Sequence, residues 1–248
     1  MAPTIHLVRH AQGYHNLNIA NHALHDPVLT NFGKEQCATL QANFPHHKDI
    51  DAIVASPLRR TLQTALYSFE NDFKTKKLKV IGMPELQETS DLPCDTGSNL
   101  EELKREFANF PVDLSLVGEG WNSKRGIWAT GADPIRARAK VARAKLAAFK
   151  EKDIVVVTHG GFLHFLTEDW SDSGRFFGTG WANTEYRSYN FSEDGECHLV
   201  ETPESRERRH LKPLDHNEME QLKRTKSHEA AEQAQKDAVV KPVVQARA

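Results

Sequence analysis

Two short runs of branched apolar residues, Ile5 to Val8 and Ile154 to Val157, each stop abruptly, the first in Arg9-His10-Ala11-Gln12-Gly13 and the second in Thr158-His159-Gly160-Gly161. A strand with no polar face must be covered on both sides, which is the situation of a central strand in a parallel sheet flanked by helices. In open sheets of that kind, ligands bind in the crevice outside the carboxyl ends of the strands. Two such strands lying side by side bring His10 and His159 into one crevice.

The segments between these strands alternate in type. Phe32, Cys37, Leu40 and Phe44 recur at roughly helical spacing after Leu29-Thr30, and Asp51 to Ala55 reads as a short strand. Ser56-Pro57 opens a helix, with Ser56 as its N-cap and Pro57 in the first turn. Lys77 to Ile81 predicts a third strand and Asn99 to Phe110 a helix, followed by an aperiodic stretch from Pro111 to Gly131 that reads as a cap over a pocket. Further on, Pro134 to Lys150 and Phe162 to Trp170 predict helices, and Glu185 to Phe191 with His198 to Glu201 an antiparallel pair of strands. The expected fold is α/β, a three-layer doubly wound and mostly parallel sheet with helices on both faces and a small loop or helix cap, spanning residues 1–202. Residues 203–248 are densely charged and read as a tail, helical or disordered, and no internal repeat is present.

A formal charge of −2 gives no basic field, so neither nucleic acid nor a membrane surface is an expected partner, and any anion site must be local. Neither a secretory leader nor an apolar run of membrane length is visible. Three widely spaced cysteines, Cys37, Cys94 and Cys197, suit reduced thiols better than a disulfide framework. The expectation is a cytoplasmic chain, with the nucleus and a homodimer left open, and the sequon Asn190-Phe191-Ser192 reads as chance.

Two histidines beside an arginine make a poor metal centre, because metal ligands need neutral imidazoles and fixed positive charge opposes the ion. They make a good phosphate site. His15, His22 and His25 lack acidic or cysteine partners and read as ordinary surface residues, so no metal and no other cofactor is expected. The segment SPLRRTLQTA adds Arg59 and Arg60 at the start of a helix. Adjacent helical residues point about a quarter-turn apart, so one of them faces the crevice and the other is a solvated or salt-bridged surface arginine.

The order Arg9-His10, Asn16, Ser56-Pro57-Leu58-Arg59-Arg60-Thr61 with Thr64-Ala65, Leu86-Gln87-Glu88 and Thr158-His159-Gly160 resembles the signature of the histidine phosphatase superfamily, in its phosphoglycerate mutase-like branch that uses a glutamate acid. The likeness runs from about residue 4 to 200. It implies that His10 is the nucleophile that becomes phosphorylated, that Arg9, Arg60 and His159 bind the transferring phosphoryl group, and that Glu88 is the proton donor and later the base toward water. It selects Arg60 over Arg59, and it implies neutral phosphate donors from Asn16 and from the backbone at Gly160. Guanidinium forks and a protonated imidazole suit a transition state that spreads negative charge over three oxygens, and His159 is expected to carry that charge only when phosphate or another anion is close. The substrate implied is a small phosphorylated molecule hydrolysed as a phosphomonoester.

Departures from the family pattern lie at Ala11-Gln12-Gly13, where Gly-Glu-Ser is usual, and after Glu88, where Gly-x-Trp-Glu-Gly is frequent. Both bear on the substrate more than on the chemistry. Asp95, Thr96 and Ser98 are candidates for substrate contact or for turn formation, Glu85 is a salt-bridged rival to Glu88, and Tyr14, Trp121 and Trp128 are candidates for an apolar specificity pocket or for packing. Cys94 is no cysteine-phosphatase nucleophile, because that motif needs arginine six positions on and residue 100 is Leu. A phosphoglycerate mutase resembles the chain in the same core residues, and a scaffold protein with the tail as docking arm is the reading from another class.

Overall fold

The structure is a computed structural model, and it describes residues 2–169, 180–193 and 195–208. Seven strands form one sheet in the order β4-β3-β2-β5-β1-β6-β7. Five are mutually parallel, β1 (Thr4–Arg9), β2 (Ala52–Ala55), β3 (Val80–Gly82), β4 (Val112–Asp113) and β5 (Asp153–Thr158). The last two, β6 (Tyr186–Phe191) and β7 (Leu199–Glu201), run antiparallel as the late pair predicted.

Alternation along the central strands divides the core in two. Ile154 and Val156 of β5, with Ile5 and Leu7 of β1, pack on α5 (Ala132–Ala147) and α6 (Gly160–Leu166). Val155 and Val157, with Val8, face α1 (Asn31–Asn43), α2 (Arg59–Ser68) and α4 (Leu100–Glu106). This is the three-layer arrangement expected, and the apolar runs follow from burial on both faces. The chain moves outward from β1 to β4 and returns through α5 to β5, between β2 and β1.

Several boundaries differ from the expectation. Ser56 is not an N-cap: α2 begins at Arg59 with Leu58 in the capping position, and Ser56 lies instead at the end of β2, its N–H donating to Val157 O. A separate helix, α3 (Glu70–Lys76), follows α2, and Lys77 closes it in the left-handed conformation with φ +56°, so the third strand starts at Val80 instead of Lys77. α4 stops at Glu106, short of Phe110, and the first residues of the cap stretch pair with β3 as the edge strand β4. α6 starts two residues earlier than Phe162, and Trp170 lies outside the described residues. Of the tail, Pro203–Arg208 forms a final helix, α7, and 209–248 lie outside the described residues. Among the described residues no helix is long and apolar enough to cross a membrane.

His6 of β1 points to the Val8 side of the sheet, against Phe44, 1% exposed, where its ring stacks on His46 at 4.4 Å and Nδ1 bonds Ser188 Oγ at 2.9 Å. Burial, then His46 and Arg208, pull its pKa down to about 3. The ring is therefore neutral at pH 7, and its 3.5 Å approach to Asp153 is not an ion pair there. Because the folded pKa lies below the unfolded value, this residue's contribution is complete above the unfolded pKa and is lost as pH falls toward 3. His6→Phe should flatten the fall of unfolding free energy between pH 6 and 4 by about 1.4 kcal/mol per pH unit, as read from urea titrations across that range.

Candidate active site

The ladder between β1 and β5 is in step, Arg9 opposite Thr158, so the residues that follow, His10 and His159, stand side by side. His10 N–H donates to Thr158 O at 2.9 Å, and the two rings lie 5.2 Å apart. β2 ends alongside: Ser56 N–H donates to Val157 O at 3.0 Å, and its hydroxyl lies 2.8 Å from His159 Nε2. A serine read as a helix cap is thus a partner of the second histidine.

The tautomers follow from the partners. His10 Nδ1 sits 2.7 Å from Ala11 O, which can only accept, so Nδ1 carries the proton and Nε2 keeps its lone pair. Arg60 can only donate, and its Nη2 lies 2.9 Å from His159 Nδ1, so His159 carries its proton on Nε2, toward Ser56. Burial, then Arg60 and Arg9, hold the His10 pKa well below the ordinary histidine value, and burial, Arg60 and His10 do the same to His159. Both rings are neutral.

Of the two adjacent arginines the helix turns Arg60 inward, fully buried, while Arg59 sits half-buried against Glu106 at 2.8 Å. Arg60 donates to Asp95 Oδ1 at 2.9 Å and to Cys94 O at 2.5 Å, and its Nε has no hydrogen-bond partner. Arg9, equally buried, donates to the Trp181 carbonyl. α2 also fixes the loop after His10, because Thr64 Oγ1 accepts from Ala11 N–H at 3.0 Å.

Glu88 arrives from a separate segment and is 1% exposed. Its carboxyl accepts the N–H groups of Thr89 at 2.9 Å, Phe162 at 2.9 Å and Gly161 at 3.2 Å. Those bonds and Arg60 favour the charged form, but burial and then Asp95 outweigh them, and its pKa is raised. The fit requires a glycine: a Cβ on Gly161 would lie 2.6 Å from Glu88 Oε1. The peptide donors after His159 therefore hold Glu88, a task the sequence reading did not give them, and Gly160 is the first residue of α6. Arg138 of α5 ties the Glu88 segment down, donating to Glu85 O at 3.0 Å, to the Gln87 carbonyl and to Glu88 O at 3.3 Å. Glu85 pairs instead with Lys145 at 2.7 Å, outside the crevice chemistry.

The remaining candidates separate clearly. Asn16 is half-buried, and its Oδ1 accepts Gly13 N–H at 3.0 Å, folding the loop beyond His10. Asp95 is buried on Arg60 and on Ser90, at 2.5 Å, while Thr96 bonds Leu92 O within its own turn and Ser98 N–H donates to the distant Asp26 carboxylate at 2.8 Å, tying two segments together. Trp121 packs over Gly97 in the core, Trp128 borders an outer groove with Ile127 and Val141, and Tyr14 is exposed. His15 and His22 correct the sequence reading: both are buried, His15 with its ring 5.3 Å from His10, and only His25 is at the surface. A lone histidine in a short turn carries no periodicity from which burial can be read. Among the described residues no group of three or more His, Cys, Asp and Glu side chains is placed to hold a metal ion.

A doubly wound sheet that gathers two arginines, three buried imidazoles and a buried carboxyl at one carboxyl edge defines an α/β protein with a cation-lined crevice at the ends of its strands. The chain belongs to the histidine phosphatase superfamily (branch 1), whose profile matches residues 5–205. It is 31% identical over 159 residues to a protein of Schizosaccharomyces pombe named a "probable phosphatase", covering 63% of this chain and 74% of that one. It is also 31% identical over 199 residues to phosphoglycerate mutase-like protein 1 of Arabidopsis thaliana, covering 64% and 69% of the two chains. Among solved structures it shares its fold with mycobacterial glucosyl-3-phosphoglycerate phosphatase, TM-score 0.53 at 17% identity over 81% of this chain and 96% of that one. The alpha-ribazole phosphatase of Shigella flexneri gives TM-score 0.51 at 18% identity over 80% and 94%.

The buried Arg60–Asp95 pair yields a stability test. Asp95→Ala should cost about 3 kcal/mol or more, because a guanidinium sealed from water loses its counter-ion. Asp95→Asn, which keeps an acceptor for Nη2, should cost clearly less, both read from denaturant midpoints at constant m-value.

Proposed function

We propose that this chain hydrolyses small phosphomonoesters in two steps through a phosphohistidine on His10. The observation that carries the reading is the fixed tautomer of His10, whose Nδ1–H is tied to Ala11 O so that Nε2 keeps a lone pair among the cations Arg9 and Arg60. In the first step Nε2 attacks phosphorus, the bond from phosphorus to the ester oxygen breaks, and that oxygen takes the proton of Glu88. In the second, water attacks phosphorus, gives its proton to the Glu88 carboxylate, and the P–N bond breaks to restore neutral His10. Arg9, Arg60 and His159 hold the equatorial oxygens, with Asn16 as a neutral donor, while the peptide N–H groups of Gly161 and Phe162 keep Glu88 in place.

Glu88 is suited to both roles because burial and then Asp95 raise its pKa above the ordinary carboxylate range, in the direction a proton donor requires. The sign is definite: loss of the Glu88 proton sets the alkaline limb of the rate profile, displaced upward from the ordinary carboxylate range, and protonation of His10 sets an acid limb below the ordinary histidine value. The reading is supported by membership of the superfamily and by the phosphatase-named relative.

Phosphate release from p-nitrophenyl phosphate and a panel of alkyl phosphates, with EDTA present, tests it. His10→Ala should abolish release and covalent labelling, and retained activity would sink the proposal. Interconversion of phosphoglycerates with little net release would replace it with a mutase. Glu88→Gln should slow alkyl phosphates by about 10²–10⁴-fold. With p-nitrophenolate, which leaves without a proton, the same variant should give a burst of one equivalent followed by slow turnover.

A further inference from the structure

The reaction proposed above employs His10 and His159 and leaves a third imidazole of the crevice without a task. His15 is 1% exposed, its ring centroid 5.3 Å from that of His10, as near as the 5.2 Å that separates His10 from His159. Its Nδ1 is buried with no hydrogen-bond partner, whereas His10 and His159 each have a nitrogen tied to a neighbour. Buried polar atoms in folded proteins are almost always satisfied, and an orphan in a crevice is a place for a ligand atom.

The chain makes room for this ring. A Cβ at position 13 would lie 2.8 Å from His15 Nδ1 and 2.9 Å from Cε1. Gly13 has φ −95°, which any residue can adopt, so it is required for space and not for backbone freedom. Gly13 is also one of the departures from the usual continuation after the nucleophile motif, and here that departure and His15 fit each other. The charged and titratable groups around the ring are Arg60 of α2, His10 and Arg9 at the end of β1, and His22 of the following turn. Burial first, and then these cations and bases, hold the His15 pKa well below the ordinary histidine value while the crevice holds no anion. A dianion brought among them reverses the local field and lets the ring take up a proton.

We propose that His15 is a further phosphate ligand, an imidazole that joins Arg9, Arg60 and His159 on the phosphoryl oxygens and for which Gly13 keeps space. The proposal rests on the phosphomonoesterase reading. The proton comes from solvent when the anion enters, the resulting N–H donates to a non-bridging oxygen, and release of inorganic phosphate returns the proton to solvent.

Calorimetric titration with sulfate, a dianion that does not itself titrate near neutrality, counts protons taken up when it is run in two buffers of different ionisation enthalpy. At pH 7.5 the wild type should take up about one proton more per sulfate than His15→Gln, and the variant should bind about tenfold more weakly. Gly13→Ala, which drives a methyl group into the ring, should lose affinity in the same direction and keeps the test alive if His15→Gln fails to fold. A purely structural His15 would change stability and leave the proton count alone. Equal uptake in wild type and variant, alongside ester hydrolysis by the wild type, overturns this inference by itself. His15-dependent uptake without hydrolysis of any ester overturns the phosphomonoesterase reading and leaves the anion site. A wild type that binds neither sulfate nor inorganic phosphate overturns both.

Discussion

The in-step parallel pairing of β1 with β5 is the constraint on which the crevice depends. Because Arg9 lies opposite Thr158, the two histidines that follow emerge at the same height. A slip by one residue would send the apolar set of β1 to the opposite core and carry His10 away from His159. That register is held by burial on both faces, Ile5 and Leu7 on one side and Val8 on the other. Positioning of the reactive edge and stability of the core are therefore one requirement.

The electrostatics above that edge are arranged by opposition. Burial, reinforced by Arg60, pulls the pKa of His10 and His159 down, while burial and then Asp95, which also occupies Arg60, disfavour the charged form of Glu88. The buried Arg60–Asp95 pair gains little over a well-packed apolar pair, and its value lies in what it does to its neighbours. Asp95 is the resident counter-ion of that guanidinium, and under the proposed reaction an incoming phosphate would share Arg60 with it.

Legibility in the sequence followed the physics of each feature. Buried parallel strands announce themselves as apolar runs, so β1, β5 and their histidines could be read directly, as could the inward turn of one arginine of the Arg59-Arg60 pair. The edge strand β4 is two residues long, too short to show any period. Arg138 sits in a helix rich in arginine and lysine, where composition does not say which cation turns inward to hold the Glu88 carbonyl. Ser56 looked like a cap because serine before a helix usually is one, and only the three-dimensional neighbourhood of β2 and β5 brings its hydroxyl to His159. His15 needed the space left by Gly13, a relation between two side chains that no linear pattern encodes.

Cys94, whose carbonyl receives Arg60, has one further consequence. Its thiol is fully buried beside Asp95, and burial and then that carboxylate raise its pKa above the ordinary thiol range. Peroxides and electrophiles attack thiolates, and the oxidation ladder begins only when that form is present and reachable. Under the proposed reaction the nucleophile is a nitrogen, and with its neighbouring sulfur held protonated the crevice would offer oxidants no thiolate to attack.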